Sequence, residues 1–115
     1  MDQSNTKINI SIANDALRVI VGVAATSVQG VHSLKGGITK DNVSKISPAR
    51  LSDSISLKTK DHNISIKIEL NVKDGVNVNE ISKKVQEKVK EQIESMTSFK
   101  VPSVSINISD IVVEK

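Results

Sequence analysis

The stretch Asp74–Val101, DGVNVNEISKKVQEKVKEQIESMTSFKV, decides the fold. Apolar residues recur at Ile81, Val85, Val89, Ile93 and Met96, spaced by four, four, four and three. That spacing lays one apolar stripe along a 3.6-residue period and predicts an amphipathic helix. Asn77 followed three residues later by Glu80 is a capping-box start, in which each side chain can take up a free backbone donor. The opposite face carries Glu80, Lys83, Lys84, Glu87, Lys88, Lys90, Glu91 and Glu94. Its i,i+4 pairs of opposite charge are worth roughly 0.2–0.5 kcal/mol each, enough to support a helix but not to fold one. This helix is a spine rather than a site.

Working outward, strict alternation flanks it on both sides. Ile64, Ile66, Ile68, Leu70 and Val72 alternate with polar residues before it, and Val104, Ile106 and Ile108 do so after Pro102. A strand–helix–strand unit of this kind crosses over right-handed with its strands parallel. The alternation breaks at Asp110, where Ile111, Val112 and Val113 run together, so a bulge or strand end is expected there. Ahead of the unit, Ile55 and Leu57 form a hairpin partner through the turn Asp61-His62-Asn63.

Toward the N-terminus, Ile8, Ile10 and Ile12 alternate with Lys7, Asn9 and Ser11 and read as another strand. A helix is expected over Ala16 to about Gln29, ended by Gly30, with Leu17, Ile20, Ala24 and Val28 on one face and Val19 and Val23 widening it. Val21 and Ala25 then fall on the far side, beside Arg18 and Gly22. A helix apolar nearly all round is covered on two sides. Arg18, Val21 and Ala25 are therefore the candidate contact residues for a second subunit or another partner. Val31–Leu34 suggests a short strand, and residues 35–50 read as a mobile loop without motif.

The predicted fold is α+β: a two-layer sandwich with a mixed sheet of four to five strands and two helices packed on one face. Residues 1–115 make a single domain. The outer face of the sheet, with Asn9, Ser11, Ser56, Lys58, Ser65, Lys67, Glu69, Ser105, Asn107 and Ser109, is polar.

Composition narrows the chemistry. The chain has no cysteine, tryptophan or tyrosine, and Phe99 is its single aromatic. Disulfides, zinc–cysteine sites and thiol nucleophiles are thereby excluded. The core must come from aliphatics, chiefly β-branched isoleucine and valine. Met1–Lys7 is polar and resembles no secretory signal, and Val19–Leu34 is too short and too polar to span a bilayer, so a soluble chain is expected.

His32 and His62 lack partners at metal-ligand spacing, and no GxSxG, Walker-type or GxGxxG motif occurs. Nothing suggests catalytic, cofactor-binding or metal-binding residues, so a non-enzyme without cofactors is expected. The net charge of +3 is mild. Lys35, Lys40, Lys45 and Arg50 against Asp41 place the same excess in the central segment. These four cations are the candidate contacts for an anion or nucleic acid, although a dispersed charge and the lack of aromatics argue against a dedicated nucleic-acid partner.

The run IANDALRVIVGVAA at Ile12–Ala25, followed by Gly30-Val31, resembles the first-helix signature of the alkaline-shock protein family, small general-stress proteins of Gram-positive bacteria. Gly75 to Ile111 resembles that family's second signature, through Val76 and Val78, Val85-Gln86, Val89, Met96-Thr97 and VPSVSINISDI. The chain departs from the family pattern at Ala13, Asp74 and Ser98, positions that bear on helix caps and a local contact.

The resemblance implies a cytoplasmic, non-catalytic scaffold or adaptor in alkaline or cell-envelope stress tolerance. It also implies association with itself or sister family members, and a membrane-proximal position through a small membrane-protein anchor rather than by direct insertion. The alternative from the residues is a nucleic-acid-associated regulator using the basic segment 35–50.

Overall fold

The computed structural model describes residues 3–113, with side-chain surroundings described from Asn14 onward. In chain order it contains α1 (Gln3–Thr26), β1 (Val31–Leu34), α2 (Pro48–Ser54), β2 (Ile55–Lys60), β3 (Asn63–Lys73), α3 (Val78–Met96) and β4 (Lys100–Val112), with a 3-10 turn at Val43–Lys45.

The spine helix forms as its periodicity predicts. The Asn77 side chain accepts the Glu80 N–H at 3.1 Å, and Ile81, Val85, Val89 and Ile93 are buried. Met96 is not: it is 60% exposed. Its angle around the helix agrees with the stripe, but it sits in the last turn, where no strand covers it. Periodicity reports the angle around a helix, not the length of helix that is covered.

β3 is the hub of the sheet. It pairs antiparallel with β2 through Asn63–Ile68 and antiparallel with β1 through Leu70–Val72, while β4 runs parallel to it from Asn63 to Lys73. The first two registers do not overlap, so β1 and β2 lie end to end along one edge of β3, with β4 along the other. A sheet of four strands is thus three strands wide. Its register slips between Ile108 and Asp110, where the broken alternation predicts a bulge. Ile64, Ile66, Ile68, Leu70 and Val72 point into one core with Leu17, Val21, Ala24 and Ala25 of α1 and the α3 stripe. Ser56, Lys58, Ser65, Lys67, Ser105, Asn107 and Ser109 are exposed on the other side.

Three expectations need correction. The strand over Ile8–Ile12 lies inside α1, which also begins well before Ala16. Three alternating isoleucines are too short a run to separate strand from helix, and β3 is already paired along both edges. The helix count is three rather than two, because α2 forms where a loop is expected. Ser47 caps it by accepting the Arg50 N–H at 3.3 Å, with Pro48 at its first turn. The loop reading of residues 35–50 also misses its apolar anchors. Ile38 is 2% exposed and bridges back to Leu34, and Val43 is 1% exposed inside the 3-10 turn.

Candidate protein-contact surface

The first helix is turned differently from its sequence reading. Val21 and Ala25, expected on a partner-facing side, are completely buried. The buried face, centred between Leu17, Val21, Ala24 and Ala25, lies roughly 40° from the one that Leu17, Ile20, Ala24 and Val28 suggest, given about 100° per residue. Gly22 explains the choice. A Cβ placed there would come within 2.8 Å of the Val43 side chain, so the side without bulk is the side that packs closest. Arg18 is no free contact either, since its Nε donates to the Ile55 carbonyl at 3.2 Å and Nη1 pairs with Asp15 at 3.5 Å. It ties α1 to the start of β2. The proposed contact surface at Arg18, Val21 and Ala25 is therefore core and scaffold.

The rotation leaves a different apolar face outside. Val19 and Ile20 are half-buried and Val23 is 41% exposed. Together with Ala24 and Ser27 they form one wall of a groove of about 400 Å³, and Lys88, Gln92 and Met96 of α3 form the other. Val23 and Met96 are two of the largest apolar groups that the described residues leave in water. A methionine has no branch and a polarizable sulfur, so it can adapt to the shape of what covers it. Sequence reasoning missed this groove because Val19 and Val23 look like the margin of a buried face, and Met96 like its end.

Two cations of the basic segment have near neighbours in the fold, and the other two lie on exposed positions. Lys35 Nζ lies 3.8 Å from Glu69 Oε1, a long pair between an exposed lysine and a half-buried glutamate that is worth little energy but partly neutralises the site. Arg50 reaches toward Gly36, its Nη2 being 4.0 Å from where a Cβ would stand. Lys40 and Lys45 are exposed on either side of buried Val43. Gly36 and Gly37 both have positive φ, of 88° and 80°, as the tight turn back to Ile38 requires.

Among the described residues, no group of three or more His, Cys, Asp or Glu is placed to hold a metal ion. His32 Nδ1 lies 3.1 Å from Ser33 Oγ, and the buried Ser33 hydroxyl accepts from Asn71 Nδ2 at 3.1 Å. That cluster satisfies polar groups where β1 meets β3. No helix of the described residues is long and apolar enough to cross a membrane.

The family model for the alkaline shock protein 23 family, described as having a cell envelope-related function, matches residues 2–113. The chain is 34% identical over 107 residues to the uncharacterized protein Spy1535 of Streptococcus pyogenes serotype M6, covering 92% of this chain and 81% of that one. It is 27% identical over 112 residues to the uncharacterized protein YqhY of Bacillus subtilis, covering 96% of this chain and 83% of that one. No solved structure matches.

Proposed function

Because this chain belongs to the alkaline shock protein 23 family, whose function is cell envelope-related, we propose that it is a non-catalytic adaptor acting through protein contacts at the cytoplasmic side of the envelope. The observation that carries this reading is the open α1–α3 groove, with Val23 and Met96 in water and Lys88 on its rim. A groove between two helices suits the apolar face of a third helix, read at i, i+3, i+4 and i+7. The occupant in this reading is a helical segment of a small membrane-protein anchor or of a sister family member. Val23 is 41% and Met96 60% exposed, so covering them recovers about half of the ~1.5–3 kcal/mol that burying a whole side chain gives, before the costs of association. The role in alkaline or general stress belongs to this proposal.

Affinity capture from detergent-solubilised cells tests it, using the native chain beside Val23→Glu and with or without nuclease. Recovery of an integral membrane protein or sister family members, unaffected by nuclease and lost in the variant, supports the adaptor. Recovery of nucleic acid, with co-purifying proteins lost after nuclease, favours the regulator built on Lys35, Lys40, Lys45 and Arg50.

A further inference from the structure

Among the described residues no strand pairs with the outer edge of β4, and the polarity of that edge can be deduced. The Glu69 carbonyl accepts from the Lys35 N–H at 3.0 Å, so Glu69 points its backbone groups toward the β1–β2 edge of β3. Backbone direction alternates along a strand, so Ile66, Ile68 and Leu70 point theirs toward β4. Their paired residues are Val104, Ile106 and Ile108. In a parallel ladder an inward-pointing residue bonds to the two neighbours of its pair. Val104, Ile106 and Ile108 therefore turn their own N–H and C=O groups outward. The Gln86 side-chain amide, 2.8 Å from the Val104 carbonyl, agrees with this, and it closes that one position. Ile106 and Ile108 remain.

Proteins guard such edges with brevity, charge, proline or a bulge. β2, at the far side of the sheet, is short and carries Lys58 and Lys60. β4 has Pro102 near its start and a bulge before Asp110, but no charge and no proline between them. We infer that this edge pairs antiparallel with the same edge of a second copy of the chain, about a two-fold axis at Asn107. Ile106 of one copy then faces Ile108 of the other, both turned outward, and each pair exchanges two backbone hydrogen bonds. The match is chemical as well as geometric. The side chains of Ile106 and Ile108 are only half-buried on the helix-bearing side, and the pairing sets them side by side. On the exposed side uncharged Ser105 meets Ser109 and Asn107 meets itself, so no like charges oppose across the axis. This surface is separate from the α1–α3 groove and does not depend on the reading of that groove.

The absence of cysteine makes the test clean. Asn107→Cys places a thiol at a pair that is not hydrogen-bonded, where opposed Cα atoms lie about 4.5 Å apart, within disulfide range. Mild oxidation of the full chain should convert most of this variant to covalent dimer, while Lys58→Cys on the other edge stays monomeric. Sedimentation equilibrium of the native chain should show a dimer, and Asn107→Lys should raise its dissociation constant by about tenfold or more, since two lysines then oppose directly. Val23→Glu should leave that constant unchanged, which separates this edge from the groove. A monomer at every concentration, with no covalent dimer of Asn107→Cys above the Lys58→Cys level, overturns the inference. So does a dimer whose constant Asn107→Lys leaves unmoved. If circular dichroism shows that Asn107→Lys does not fold, the cysteine pair decides alone.

Discussion

The side-chain amide of Gln86 donates to the backbone carbonyl of Val104 at 2.8 Å, tying α3 to the outer edge of β4. Glu94 makes the companion tie, accepting the Val101 N–H at 2.9 Å. A helix thus takes up backbone groups that a neighbouring strand would otherwise hold. Removing one tie should have a measurable cost. Gln86→Ala is expected to lower unfolding free energy by about 1 kcal/mol, as the midpoint of urea unfolding will report.

Gly22 gives a prediction opposite to helix propensity. Alanine in an exposed helix interior gains about 1 kcal/mol over glycine. Here the added methyl would meet Val43 at 2.8 Å, with Leu34 and Ile55 close behind. Overpacking of that kind costs roughly 1–3 kcal/mol. Gly22→Ala should therefore destabilise the protein in chemical denaturation.

Val21 and Val23 separate fold from contact. Val21 is fully buried and Val23 41% exposed, two positions apart on one helix. Val21→Glu puts an unpaired charge in the core and should leave no cooperative unfolding transition. Val23→Glu should stay within about 0.5 kcal/mol of the native stability, yet lose partner capture. Retained capture in a folded Val23→Glu protein would remove the groove from the proposal.

The Asn77 cap can be weighed against the rest of its helix. Asn77→Ala removes the acceptor of the Glu80 N–H and should cost about 1 kcal/mol. Val89→Ala, at a position with no exposure, should cost more because it opens a cavity. Equal losses in thermal unfolding would mean that capping, not packing, holds α3 in place.

Much of the second half was legible because its elements are long and their periods clean. Asn77, the four buried residues of α3, the five of β3 and the break at Asp110 all follow from spacing alone. The first half was not, for a physical reason. On α1 every position from Val19 to Ala25 is apolar or glycine, so hydrophobicity carries little phase information. The phase is set instead by a close approach between Gly22 and Val43, residues joined only by the fold. The same holds for the candidate surface. Whether Val23 and Met96 are wet depends on where neighbouring elements end, and no local pattern encodes that. The glycine itself was the available signal, since a mid-helix glycine commonly marks the side that packs closest.

The central position of β3 has a consequence for synthesis. β1 and β2 are made before β3, but β4 is made after it, beyond the whole of α3. While the chain is still emerging, β3 has partners along one edge and bare backbone groups along the other, beside an uncovered row of isoleucines. That half-built sheet is the species most exposed to misassembly, and it persists until α3 has swung across and β4 has docked. Slow decoding just after β3 would prolong the hazard, whereas a chaperone that shields an unpaired strand would suppress it.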